Sequence, residues 1–201
     1  MIAILDYGSG NLRSAQRAFA ASGVEVVVTS DEKVCREAQG LVVPGVGAFQ
    51  ACMRGLLAVK GDEIIRARFA DDRPTMGICV GMQILFHTSS ETSRDGSTLP
   101  GVGMWKESIT RLNAPVLPHM GWNTVQAPPN SVLFRGIFEE SFYFVHSFAA
   151  KESNAPVVIF SEYGENFVAS VEDGTLTATQ FHPEKSGGAG LRLIKNWVES
   201  I

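Results

Sequence analysis

Thr75-Met76-Gly77-Ile78-Cys79-Val80-Gly81-Met82-Gln83 decides how this chain folds. Thr75 to Ile78 is an apolar run of strand length, and Val80 to Phe86 reads as a helix. The change of period falls on Cys79, between Gly77 and Gly81. A G-x-nucleophile-x-G run at a strand-to-helix turn is a nucleophile elbow, in which small neighbours let the turn close and expose the central side chain. It would put Cys79 at a helix N-terminus, where the dipole favours a thiolate and the Val80 N–H faces a developing oxyanion. A structural cysteine between two packing glycines fits the same residues, so the reading turns on whether a base exists.

Outward from this elbow, the first half of the chain alternates strands and helices. Ile2 to Leu5 and Val24 to Val28 read as strands, with a helix from Leu12 closed by Gly23 between them. Ser30 or Asp31 can cap a short helix through Ala38, and Leu41 to Val43 is the third strand. Helical stretches follow from Ala48 to about Leu57 and from Glu63 to Phe69. The second half is strand-rich. Runs at Ser108–Leu112, Asn123–Gln126, Phe142–Ser147, Val157–Ser161 and Phe167–Val171 lead to an Asp173-Gly174 hairpin turn and a returning run, Leu176 to Phe181. Glu91 to Pro100 is a loop, and Leu191 to Val198 closes the chain as a helix. The pattern predicts one α/β domain over residues 1–201, with a mostly parallel central sheet and an antiparallel β extension in one mixed sheet.

Composition narrows the function. A chain of 201 residues, 45% hydrophobic, can bury one substantial core. A net charge of −4 leaves no basic face for nucleic acid and no polybasic segment for a membrane surface. No apolar run approaches the roughly 20 residues of a membrane span, and Met1 to Asp6 lacks the features of a signal peptide. Cys35, Cys52 and Cys79 are few, odd in number and not at metal-ligand spacing, so a cytoplasmic, reduced protein without a metal is expected. No nucleotide-binding glycine fingerprint is present, and no cofactor is expected. Cys35 and Cys52 read as small buried hydrophobes.

The base for Cys79 lies in Gln180-Phe181-His182-Pro183-Glu184-Lys185. His182 ends a strand run, and residues two apart in extended chain face the same side, so Glu184 can reach the imidazole. A carboxylate beside imidazole fixes its tautomer and stabilises the imidazolium formed when a thiol proton moves. His87 reads as a helix-end residue instead.

An elbow followed about a hundred residues later by Phe-His-Pro-Glu resembles the class I glutamine amidotransferases. The resemblance implies a catalytic triad of Cys79, His182 and Glu184, with Gln83 at a glutamine-binding position. Further segments resemble one branch of that class, the glutaminase subunits of imidazole glycerol phosphate synthases. They are Asp6 to Ser14, Pro44 to Phe49, Gly81 to Gln83, Pro118 to Asn123, Tyr143 to Ser147 and Phe181 to Ser186. That likeness implies a heterodimer with a (β/α)8-barrel cyclase subunit, which receives ammonia released from glutamine for histidine biosynthesis.

Several side chains acquire roles on this basis. The backbone of His146 and the hydroxyl of Ser147 would hold glutamine. Pro44-Gly45-Val46-Gly47 follows the third strand at the same sheet edge as Cys79, and its two glycines permit a peptide flip. Gly45, Val46 and Gly47 are therefore expected to supply a second oxyanion N–H once the partner is engaged. Tyr7, Asn11, His119, Met120, Trp122 and Lys185 are expected on the partner face, with Pro118 to Asn123 forming a loop between strands. A stand-alone glutaminase, another class I amidotransferase, or a non-catalytic module on the same fold would share parts of this pattern.

Overall fold

A computed structural model describes residues 1–93 and 95–201. Arg94, inside the loop expected from Glu91 to Pro100, lies outside the described residues. In chain order the elements are β1 (Ile2–Leu5), α1 (Leu12–Ala20), β2 (Val26–Thr29), α2 (Glu32–Glu37), β3 (Gly40–Gly45), α3 (Phe49–Ala58), α4 (Gly61–Ala70), β4 (Thr75–Cys79), α5 (Val80–Gln83) and β5 (Phe86–Ser89). They continue with β6 (Trp105–Arg111), β7 (His119–Thr124), β8 (Ser141–His146), β9 (Phe148–Ala150), β10 (Val157–Glu162), β11 (Asn166–Asp173), β12 (Leu176–Thr179), a 3-10 turn (Pro183–Lys185) and α6 (Gly187–Glu199).

Seven strands form the central sheet in the order β10-β11-β12-β4-β3-β1-β2. From β12 to β2 every pair is parallel, and β10-β11-β12 adds an antiparallel edge. β1, β3 and β4 are buried at every residue, as strands covered by helices on both faces must be. Their continuous apolar runs follow from that position. The predicted class is correct, but the strands do not all join one sheet. β5-β6-β9 forms a separate three-stranded sheet and β7-β8 a two-stranded ribbon. The indole of Trp105 on β6 donates to Asp173 Oδ2 at 2.9 Å, tying the small sheet to the β11–β12 hairpin.

The helix expected from Val80 to Phe86 stops after Gln83. Ile84 and Leu85 are apolar enough to continue it. Their carbonyls are taken instead by Val102 N–H at 2.7 Å and Met104 N–H at 2.8 Å. Phe86 then packs on Trp105 with ring centroids 5.0 Å apart, and the chain leaves as β5. Tertiary pairing overrides local propensity here. His87 is accordingly a strand residue, not a helix end. Residues His119–Thr124 form β7, paired residue for residue with β8 from His119↔His146 to Thr124↔Ser141, so the loop expected over Pro118 to Asn123 is mostly strand and the strand run expected from Asn123 begins earlier.

The opposite side of the sheet depends on one buried cation. Arg68, 1% exposed, projects from α4 under the C-terminus of α2. Its Nη1 donates to the carbonyls of Cys35, Arg36 and Ala38, each at 2.9 Å, its Nη2 to Pro74 O at 2.6 Å, and its Nε to Thr75 Oγ1 at 3.2 Å. These oxygens are the orphan acceptors of a helix end and of the chain entering β4. Replacing Arg68 with Met keeps the apolar stem but strands several buried acceptors. Arg68→Met should lower unfolding free energy by about 3 kcal/mol, read from urea melts with an unchanged slope.

Candidate active site

Cys79 is the last residue of β4 and the residue before α5, and its backbone is left-handed, φ +57° and ψ −115°. Few non-glycine residues adopt such an angle without support from their surroundings. The support is close packing. A Cβ on Gly81 would lie 1.9 Å from the Val43 carbonyl oxygen, and one on Gly45 would lie 2.4 Å from Gly81 N. The end of β3 and the elbow touch backbone to backbone, so both positions need glycine. α5 is a single turn, so the helix-dipole support expected for a Cys79 thiolate is small.

His182 reaches Cys79 from the turn after β12. Its Nδ1 lies 2.8 Å from Glu184 Oε1, with both side chains almost fully buried. Burial acts to lower the His182 pKa. Its hydrogen bonds to the Cys79 sulfur and to Glu184, and the negative charge of both, outweigh this and push it up to about 10. The surroundings of the ring thus favour its imidazolium form despite burial. β8 fixes the turn. His182 N–H donates to Tyr143 O at 2.9 Å, Tyr143 N–H to Ser186 Oγ at 3.0 Å, and Ser186 Oγ–H to His182 O at 2.6 Å.

These residues open on a cavity of about 440 Å³ lined by Val46, Gly47, Cys79, Val80, Gln83, Glu91, His146, Ser147, His182 and Lys185 among others. The structure thus brings together most of the residues expected at the site. Val80, as the first residue of α5, has no intrahelical acceptor for its N–H. Gln83 turns its Nε2 to Phe148 O at 2.8 Å and Gln180 Oε1 at 3.0 Å. The Val46 N–H is engaged elsewhere in this conformation. It donates to Ser9 Oγ at 3.1 Å, while the Val46 carbonyl accepts from the same hydroxyl at 3.0 Å and from the Cys52 thiol at 3.4 Å. Cys52 is therefore more than a small hydrophobe.

The expected partner face divides. Met120 and Trp122 point outward from β7, 61% and 59% exposed, and Asn11 and Lys185 are also exposed. Asn11 additionally caps α1, its Oδ1 accepting from Ser14 N–H at 3.3 Å. Tyr7 and His119 do not belong to that face. Tyr7 is 4% exposed and its hydroxyl donates to Pro44 O, because the chain after β1 turns under β3. His119 is 3% exposed because strand alternation turns it opposite to Met120 and Trp122.

Three contributors were not legible as such. Gln180, wholly buried, points its Nε2 at Cys79 Sγ from 3.9 Å and links it to Gln83. Its spacing of two from His182 was the available signal. Glu91 is the one carboxylate among the lining residues, and it also accepts from Phe49 N–H at 2.8 Å at the start of α3. Ser9 sits in a turn with no mark of its role. Among the described residues no group of His, Cys, Asp or Glu is arranged to hold a metal ion, and no helix is long and apolar enough to cross a membrane.

Comparison with known proteins agrees with this geometry. The sequence matches the family described as glutamine amidotransferase class-I over residues 3–201. It is 54% identical to the imidazole glycerol phosphate synthase subunit HisH of Mycolicibacterium paratuberculosis, covering 100% of this chain and 98% of that one. It is 53% identical to the HisH subunit of Corynebacterium glutamicum, again covering 100% and 98%. Among solved structures, a crystal structure of a glutamine amidotransferase superposes with a TM-score of 0.76 at 18% identity, covering 98% of this chain and 97% of the other, which speaks to the fold alone. The chain belongs to the class I glutamine amidotransferase family, in its branch of imidazole glycerol phosphate synthase HisH subunits.

Proposed function

We propose that this chain, acting as one amidotransferase domain, hydrolyses glutamine to glutamate and ammonia and delivers the ammonia to a (β/α)8-barrel cyclase subunit. The cyclase would use it to make imidazole glycerol phosphate and aminoimidazole carboxamide ribotide in histidine biosynthesis. The observation that carries the reading is the buried Cys79–His182–Glu184 set at the floor of a cavity of amino-acid size. Three free thiols fit a cytoplasmic setting.

The chemistry follows from the charges. The Cys79 thiolate attacks the carboxamide carbon of glutamine, and the carbonyl electrons move to oxygen. The oxyanion is met by the Val80 N–H and by a second donor, the Val46 N–H, once that peptide turns from Ser9 toward the cavity. The His182 imidazolium gives its proton to the departing amide nitrogen, so ammonia leaves and a γ-glutamyl thioester remains. Neutral His182 then takes a proton from water, whose oxygen attacks the thioester. Collapse expels the Cys79 thiolate and frees glutamate. Glu184 holds the ring through Nδ1 in both half-reactions. Gln180 steadies the sulfur, and Glu91 places a negative charge where the α-ammonium of glutamine can pair with it. Met120 and Trp122 offer an exposed apolar pair to the cyclase, and Lys185 adds an exposed cation at the cavity.

Glutamate release should be near silent for the chain alone and strong with the liganded cyclase. Vigorous release by the chain alone would support a stand-alone glutaminase instead. Cys79→Ala should remove release by at least about a thousandfold in either state. Ser9→Ala deletes the hydroxyl that occupies the Val46 N–H, so partner-free release should rise several-fold; an unchanged rate would mean that this bond does not limit the peptide's turn. The pH profile supplies a further check. The His182 pKa is raised from 6.5 to about 10, so the stabilising ion pairing is complete below 6.5 and is lost as pH rises through about 10. The alkaline limb of kcat/KM for glutamine should lie near pH 10. Glu184→Gln removes one of the two anions and should move that limb to lower pH.

A further inference from the structure

His119 and His146 face each other across the β7–β8 ribbon, the first pair of its register. His119 Nδ1 lies 3.1 Å from His146 Nε2. His146 Nδ1 lies 3.1 Å from Phe148 O, and Asn123 Nδ2 lies 3.4 Å from His119 Nε2. The polarity of this chain is set from its two ends. Phe148 O can only accept, so His146 carries its proton on Nδ1 and presents a bare Nε2. Asn123 Nδ2 can only donate, and the amide's orientation is set by Thr124 N–H on its Oδ1 at 2.9 Å. His119 therefore accepts at Nε2 and donates from Nδ1 to His146. One proton arrangement satisfies all four groups, and both rings are neutral in it.

The chain ends at the cavity wall. Phe148 O also receives Gln83 Nε2 at 2.8 Å, and His146, Ser147 and Phe148 all line the cavity. Both nitrogens of His146 are occupied, so its ring has none left for glutamine and acts on the site only by holding the wall. His119 is in turn clamped by stacking on Tyr163, centroids 4.0 Å apart, and on Phe144, 5.0 Å apart. The same strand presents Met120 and Trp122 on its outer face, so the partner-facing side chains and this ring share one backbone.

We infer that His119 is a positioning residue for glutamine: through its Nδ1–H on His146 Nε2 it holds the orientation of a ring whose tautomer the Phe148 carbonyl sets, and so the 146–148 wall against which the substrate is held. This rests on the proposed glutaminase activity. His119 touches neither the triad nor the substrate, so its loss affects binding more than chemistry.

The test uses the complex with the cyclase and reads two things. Nitrogen-15 NMR of the wild-type protein should show both His119 and His146 protonated at Nδ1 alone. Steady-state glutamate release compares His119→Phe, which keeps the stacking and loses the donor, with His119→Asn, which restores an N–H near the same place. His119→Phe should raise KM for glutamine about tenfold with kcat little changed. His119→Asn should recover most of the KM. An Nε2–H tautomer on either wild-type ring would overturn the inference without any variant, as would an unchanged KM in folded His119→Phe. The underlying activity is judged separately. If the wild-type complex releases no glutamate and Cys79 resists a glutamine-like diazoketone, the glutaminase reading fails, whatever the tautomers show.

Discussion

The fold is organised around a backbone contact that no side chain makes. Val43 O approaches so close to Gly81 that a Cβ there would lie 1.9 Å away. This contact presses the elbow onto the end of β3 and holds Cys79 at φ +57°, an angle that costs about 1–3 kcal/mol for a residue with a side chain. The cost is met by the buried sheet around it. β3 and β4 run in register from Leu41↔Thr75 to Gly45↔Cys79, so the loop carrying Val46 and the sulfur emerge at the same level. Site geometry and sheet register are one constraint.

The second half of the chain contributes in a different way. The β7–β8 ribbon lies outside the central sheet, yet it touches the His182 turn through Tyr143 and the cavity wall through His146. Beneath it lies an aromatic cluster in which Phe142 and Phe181 have centroids 4.4 Å apart and Phe144 packs on both Phe167 and Phe181. A rigid apolar bed of this kind transmits displacement instead of absorbing it. The ribbon is thus exposed on its outer face, packed on its inner face, and bonded to the site at its end.

What could be read from the residues follows the range of the forces involved. Period-2 and period-3.6 patterns located the central strands and most helices, because those patterns record which face is buried. The elbow and the His-x-Glu pair were legible because their geometry is local in sequence. α5 and β5 were misread because carbonyls of Ile84 and Leu85 pair with residues 102 and 104, and nothing in residues 80–86 announces those partners. Tyr7 and His119 were misplaced for a related reason. A short polar-aromatic motif does not say which of its side chains turn inward. In Pro118 to Asn123 the decision is made by pairing with β8, which sends His119 and Asn123 to one face and Met120 and Trp122 to the other. Gln180, Glu91 and Ser9 matter through contacts that span from 37 to 101 residues of sequence, beyond any local pattern.

Two buried histidines on the same cavity wall show how the fold assigns charge. His182 and His146 are both nearly inaccessible, so burial disfavours the imidazolium of each. For His182 the sulfur of Cys79 and the carboxylate of Glu184 reverse that effect and bring its pKa to about 10. For His146 burial dominates; the Phe148 carbonyl opposes it only weakly, and the nearby His119 and His182 add to it, bringing the value down to about 3. The charge on His182 therefore helps keep His146 neutral. A neutral His146 is what its bond from His119 requires, since a proton on Nε2 would set two N–H groups against each other at 3.1 Å. The imidazolium of His182 and the neutral pair at the wall are thus consistent with each other, the charge of the first helping to keep the second neutral.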